Sequence, residues 1–150
     1  MTRLNTQWEA MGAEYLVLGH LLIQGIHAYK APLNNPGYDL IAIHPDKAIS
    51  CRIQVKSRYA TDHEGGFPIQ NEASDIVVFV ALNRGYRYGS KKRLDKGQGI
   101  QPPDYYIFPM SVIQAAKKDT SRWSKVYLRD IPEVKSYKDH WALIMTCLEG

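Results

Sequence analysis

The chain has 150 residues, 45% of them hydrophobic and 23% charged, and a formal net charge of +4. That length and apolar content suit one domain with a sizeable core and exclude an intrinsically disordered chain. With no apolar run long enough to span a bilayer and no signal peptide in the pattern, no membrane partner and a cytoplasmic setting are expected.

The first predicted element is a helix. Thr6-x-x-Glu9 reads as a capping box, and the run to about Gln24 lacks Pro, with Trp8, Met11, Tyr15, Leu18 and Leu22 at helical spacing as its apolar stripe. Glu14 sits beside that stripe, in line with Ala10, Val17 and Leu21. A carboxylate there faces protein and needs a partner or a metal, unless it reaches out from the rim of the face.

Pro36-Gly37-Tyr38-Asp39 leads into a strand predicted over Tyr38 to Ile43, and the breaker His44-Pro45-Asp46-Lys47 separates it from a second strand over Ala48 to Lys56. In the second strand Ile49, Cys51, Ile53 and Val55 alternate with Ser50, Arg52, Gln54 and Lys56. Gln54 and Lys56 therefore share a face, roughly 7 Å apart. A two-residue turn at Asp46-Lys47 makes paired positions sum to 93 and sets Asp39 opposite Gln54. A four-residue turn makes them sum to 91, sets Asp39 opposite Arg52 and leaves Gln54 its diagonal neighbour. Both loops bring Asp39, Gln54 and Lys56 together, whereas a three-residue loop without a bulge reverses every side chain.

Beyond Lys56, Ser57 and Arg58 extend the polar face. A loop marked by Gly65-Gly66-Phe67-Pro68 follows, from which Arg58, His63 and Gln70 could meet a polyanion. The next strand is Ile76 to Leu82. Residues 84–103 then carry Arg84, Arg87, Lys91, Lys92, Arg93 and Lys96 against one acid, Asp95, so this segment contributes +5 and the remainder −1. Its bases are interleaved with Gly, Tyr86 and Tyr88, which makes it a basic hairpin or loop inserted before the strand Tyr105 to Phe108. It is either a solubilising tip or a phosphate-tracking element with Arg87, Arg93 or Gln98 at base edges. Ser111 to Lys118 reads as a short helix, Lys125 to Arg129 as a short strand, and Pro132 to about Cys147 as a terminal helix with Val134, Tyr137, Trp141, Ile144 and Met145 roughly on one side. The apolar side of that terminal helix is the one interface candidate in the pattern. Cys51 and Cys147 form no paired motif, and the five His residues show no zinc spacing.

Glu14 on an opening helix, Pro36-x-x-Asp39 on a strand and Gln54-x-Lys56 on the next resemble the PD-(D/E)XK, or restriction-endonuclease-like, nuclease superfamily, and within it the small homing endonucleases of cyanobacterial group I introns. Gln54 departs from the usual Asp or Glu and matches a variant accepted among those intron-encoded enzymes. The resemblance implies a single α/β domain over residues 1–150, a mixed β-sheet flanked by helices in the order α-β-β-β-α-β, with the basic insertion at about 84–103. It also implies site-specific hydrolysis of double-stranded DNA with Mg²⁺, for which Mn²⁺ substitutes. Asp39, the Val55 carbonyl, the Gln54 amide oxygen and Glu14 would be the metal ligands, and Lys56 would act on the attacking water. Arg84, Arg87, Lys91, Lys92, Arg93, Lys96, Gln98, Arg58 and Ser57 would contact DNA. One site per chain cuts one strand, so the resemblance implies at least a homodimer, and a tetramer by analogy.

The same core would also suit a junction-resolving, repair or restriction nuclease. In a different class stands a catalytically inert DNA-binding module in which Gln54 marks decay. If the basic segment binds DNA by neutralising around five phosphates, the logarithm of affinity falls against the logarithm of salt with a slope of about −4 to −5. A filter-binding titration over salt checks this, and a shallow slope removes residues 84–103 from the interface.

Overall fold

The computed structural model describes residues 6–32, 37–61, 66–88, 93–117 and 124–150. Helix α1 spans Gln7–Ile23. It stops in a Schellman arrangement, with Gly25 N–H donating to the Leu22 carbonyl (3.0 Å) and Ile26 N–H to that of Leu21 (2.9 Å). Gly25 takes the left-handed conformation that this stop requires, at φ +82°. At the other end Thr6 caps through its backbone alone, without the side-chain bond of the expected capping box.

The stop launches β1, His27–Lys30, a strand that the sequence pattern did not reveal. After it come β2, Leu40–Ile43, and β3, Ser50–Arg58. These are followed by a two-residue strand β4, Phe67–Pro68, the wholly buried β5, Ile76–Ala81, the hairpin strands β6, Arg84–Tyr88, and β7, Arg93–Ile100, and then β8, Asp104–Pro109. The chain ends with α2, Met110–Ala116, a short β9, Lys125–Val126, two 3-10 turns, and α3, Ala142–Glu149. The terminal helix expected from Pro132 is broken into a 3-10 turn at Val134–Tyr137 and α3, with Glu133 and Asp139 both at positive φ.

Five strands form one mixed sheet in the order β1-β2-β3-β5-β8. Only β3 and β5 run parallel, and the other neighbours are antiparallel. The connection between that parallel pair, residues 59–75, holds β4 and no helix among its described residues, where the expected α-β-β-β-α-β order places one. β4 pairs instead with β9. The result is an α/β domain, a mixed sheet between helices with a two-stranded hairpin appended.

Each sheet face has its own core. Ala13, Val17 and Leu21 of α1, with Trp141, Ile144 and Leu148 around α3, cover Cys51, Ile53, Val78 and Val80. On the other face Phe67, Ile69, Ile113 and Val126 cover Val77 and Phe79. Burial on both sides explains why β5 is a continuous apolar run. It also corrects two expectations. α1 packs through Ala13, Val17 and Leu21, all fully buried, which turns Trp8, Tyr15 and Leu22 outward. The apolar stripe expected over the terminal segment is split, with Trp141, Ile144 and Leu148 buried in the core and Met145 turned outward.

Phe79 is fully buried and stacks on Phe67 with ring centroids 5.1 Å apart. Phe79→Ala should cost about 3–5 kcal/mol of stability, read from urea denaturation monitored by circular dichroism. A loss under 1 kcal/mol would contradict this packing.

Candidate active site

The β2–β3 register runs Leu40↔Ile53 to Ile43↔Ser50, so paired positions sum to 93. The intervening loop is held by His44, whose Nδ1 accepts the N–H groups of Asp46 and Lys47 at 3.0 Å each. Pairing stops at Ile53, whereas β3 continues to Arg58 alongside β5. From residue 54 onward, then, one edge of β3 has lost its partner strand.

Asp39 occupies that gap. Its N–H donates to the Ile53 carbonyl (2.8 Å), and its carboxylate Oδ2 accepts the Val55 N–H at 2.7 Å. The side chain thus stands in for the missing ladder bond, leaving Oδ1 for other work. Because a strand residue points its N–H and C=O the same way, the Val55 carbonyl faces the same gap. Pro36 lies outside the described residues. Gly37 is buried, and its carbonyl accepts from the amide Nε2 of Gln54 at 3.5 Å.

Gln54 is buried, with Nε2 also donating to the Asn71 carbonyl at 3.1 Å. Its amide nitrogen therefore ties the Asp39 approach to the loop before β5. Among the described residues no donor reaches its amide oxygen. Asn71 was missed in the sequence: its own Oδ1 accepts the Ala73 N–H at 2.8 Å, an Asx turn that presents its carbonyl to Gln54.

Lys56 lies level with Phe79 and projects, like Gln54, from the sheet face opposite α1. Burial pushes its ammonium below the ordinary lysine range, and the Asp39 carboxylate opposes the shift. Glu14 approaches from α1, across the sheet edge. Burial raises its carboxyl pKa, the neighbouring Asp39 charge raises it further, and Lys30 counteracts through an ion pair of 3.7 Å. Asp39 is thus within electrostatic reach of both Glu14 and Lys56. A group of two carboxylates, one undonated amide oxygen and one backbone carbonyl is an all-oxygen set that fits a hard divalent cation.

Arg58 is turned partly inward: Nη1 donates to the Gly66 carbonyl at 3.3 Å, and its charge acts on Glu9. Glu9, expected to close a capping box, instead stands partly desolvated near Arg58, with its pKa raised by burial. Ser57 is half-buried, and His63 lies outside the described residues.

The basic segment forms the antiparallel β6–β7 hairpin, with a register shift between Arg84 and Tyr86. Arg84 and Gln98 are exposed; Lys91 and Lys92 lie outside the described residues, as do the side chains of Arg87, Arg93 and Lys96. Its base is clamped to the end of β3. Thr61 N–H donates to the Gly85 carbonyl (2.9 Å), Thr61 Oγ1 donates to the Gly99 carbonyl (2.5 Å) and accepts from Gly85 N–H (3.0 Å). The Arg84 N–H donates to the Tyr59 carbonyl (2.9 Å). Gly99, at φ +80°, leaves the space that the Tyr86 ring fills, so any β-carbon there would collide with it. The hairpin is therefore rooted only a few residues beyond Lys56 on the same strand.

A separate group, Cys51, Asp75 and Cys147, brings three donor atoms within 4.8 Å of one another. Asp75 is already engaged there: its Oδ2 accepts the Arg52 N–H at 2.9 Å, and burial raises the Cys51 thiol far above its usual range. This arrangement joins α3 to the sheet.

Because the Glu14 pKa is raised in the folded state, folding favours its protonated form. The benefit is complete below the unfolded value near 4.5 and is lost as pH rises through the folded value. In metal-free buffer Glu14→Gln should therefore melt higher than wild type at neutral pH and flatten the decline of stability above pH 4.5. A scanning-calorimetry series against pH checks this, and a lower melting temperature at neutral pH contradicts it.

No protein-family model and no curated protein matches the chain. The chain is similar to the solved structure of the bacterial homing endonuclease I-Ssp6803I, at 18% sequence identity, with 95% of this chain and 93% of that chain covered and a TM-score of 0.58. At this identity the likeness establishes the fold, and it extends over nearly the whole chain.

Proposed function

We propose that this protein is a Mg²⁺-dependent, site-specific double-strand DNA endonuclease of the PD-(D/E)XK kind with a Gln variant site, acting as an intron-encoded homing endonuclease. The observation that carries the reading is the open edge of β3, where the Asp39 carboxylate caps Val55 N–H within electrostatic reach of both Glu14 and Lys56. The structural likeness to a bacterial homing endonuclease supports it.

Asp39 Oδ1, the Val55 carbonyl, the Gln54 amide oxygen and Glu14 are the residues that would hold Mg²⁺, with Mn²⁺ a substitute. Bound there, the cation supplies Lewis-acid relief of phosphate charge and a more acidic water. Lys56 donates a hydrogen bond to the attacking water or a phosphate oxygen. Its partial desolvation strengthens that bond and eases proton release. Asp39 is held in place by the Val55 N–H, so orientation is set before substrate arrives. Gln54 contributes no charge, so the free protein would hold the cation weakly and would rely on phosphate oxygens of the substrate as further ligands. Arg84, Arg87, Lys91, Lys92, Arg93, Lys96 and Gln98 on the hairpin, with Ser57 and Arg58 at its root, track the duplex. The protein works as a homo-oligomer, at least a dimer, because each chain carries one site for one strand. Among the described residues no helix is long and apolar enough to cross a membrane.

Incubating long genomic DNA with Mg²⁺ should yield discrete fragments with wild type, while Asp39→Ala and Lys56→Ala each lose activity by on the order of 100-fold or more. Smearing would remove site specificity. Cleavage that survives Asp39→Ala unchanged, or no cleavage by any form, would overturn the assignment.

A further inference from the structure

We infer that Lys30 is the built-in counter-ion of the proposed metal site, its ammonium holding the Glu14 carboxylate in competition with the divalent cation. The inference rests on the reading of Asp39 and Glu14 as metal ligands and deepens it, because it says what neutralises those ligands in the metal-free protein. Lys30 closes β1, the strand that the sequence pattern did not reveal. Its Nζ lies 3.7 Å from Glu14 Oε1 and 4.4 Å from the centroid of the Tyr15 ring.

The backbone fixes where that ammonium starts. Lys30 pairs with Leu40, and the next residue, Ala31, donates its N–H to the Asp39 carbonyl at 2.9 Å. Directly paired residues share a sheet face, and Leu40 is buried in the core beneath α1. Lys30 therefore rises on the α1 side of the sheet, whereas Lys56 projects from the opposite face. The two acids, Asp39 and Glu14, thus stand with two ammonium groups, one on each side of the sheet. With all four ionised their charges cancel, so a divalent cation meets a balanced site and not a dianion.

Glu14 is where the two cations compete. Burial and the Asp39 charge both oppose its ionisation, and Lys30 is the group that counteracts them. The Lys30 and Glu14 side chains are 27% and 20% exposed, so water screens the pair only partly. Their 3.7 Å separation is nonetheless longer than the roughly 2.8 Å of a tight charge-assisted hydrogen bond, so the contact can be exchanged. The Tyr15 ring gives Lys30 a second seat. An ammonium over a ring face keeps part of its stabilisation when the carboxylate is taken, which lowers the cost of the exchange. Gln54 withholds one negative charge from the site and Lys30 cancels another, and phosphate oxygens of the substrate restore what both remove.

The experiment measures Mn²⁺ binding to the full chain without DNA, by electron paramagnetic resonance at mildly alkaline pH so that Glu14 stays ionised. Lys30→Met keeps an aliphatic stem against Tyr15 and removes the charge. It should bind Mn²⁺ about ten-fold more tightly than wild type, whereas Lys30→Arg should stay within about two-fold of wild type. The gain must depend on Glu14: in a Glu14→Gln background, Lys30→Met should change affinity by less than about three-fold. Circular dichroism verifies that each variant is folded. A Lys30→Met affinity equal to or weaker than that of wild type, which a merely structural brace on Glu14 predicts, would overturn the inference. So would a gain undiminished in the Glu14→Gln background, or no Mn²⁺ binding by any form. Asp39-dependent cleavage of DNA alongside any of these three results would leave the nuclease reading standing. Tighter, Glu14-dependent binding with no cleavage would overturn the nuclease reading and leave Lys30 as the counter-ion.

Discussion

The hydrogen bond from Val55 N–H to the Asp39 carboxylate, 2.7 Å long, is the constraint around which the site is arranged. β3 outruns β2, and a strand edge stripped of its partner exposes backbone groups that must be satisfied. A carboxylate is a stronger acceptor than the carbonyl it replaces, so such a bond is worth about 1.5–3 kcal/mol. It holds one oxygen of Asp39 against the strand and thereby orients the other. Lys56 on the same strand and Glu14 on α1 are then fixed relative to that oxygen by the sheet and the helix, rather than by a loop.

At this edge Asp39 feels charges from both sides of the sheet: Lys56, which projects from the face opposite α1, and Glu14, which α1 carries. Desolvation raises the Glu14 pKa, and repulsion from Asp39 raises it further. Gln54 carries no charge to add to that repulsion, and its amide nitrogen anchors the Gly37 and Asn71 carbonyls. One amide thus braces the two loops that border the site.

The parallel partner β5 sets the other boundary. Its complete burial makes it the rigid axis of the domain, and the hairpin leaves the sheet directly after it. Asn83, at positive φ, donates through Nδ2 to the Pro102 carbonyl (2.9 Å) and to Asp104 (3.1 Å), tying the two ends of the hairpin together. Thr61 ties them to the end of β3. The segment richest in positive charge is therefore anchored to the strand that carries Lys56, which couples the electrostatic surface to the site through backbone hydrogen bonds.

Much of this was legible in the residues. Alternation along Ile49 to Lys56 is a local property, and so are the helical run of α1 to about Gln24, the apolar run of β5 and the concentration of charge in residues 84–103. The meeting of Asp39 with the Gln54-x-Lys56 strand was also accessible, because an even register brings them together whichever turn is used. Only the folded chain could decide which side of α1 is inward, since Trp8, Tyr15 and Leu22 match the helical period as well as Ala13, Val17 and Leu21 do. The choice depends on a sheet that the local pattern does not contain. β1, the inward turn of Arg58, the redirected Glu9 and the Asn71 support were hidden for the same reason: each is defined by a partner distant in sequence. Local periodicity records what one segment prefers, whereas the gap beside β3 exists only because one strand ends before its neighbour does.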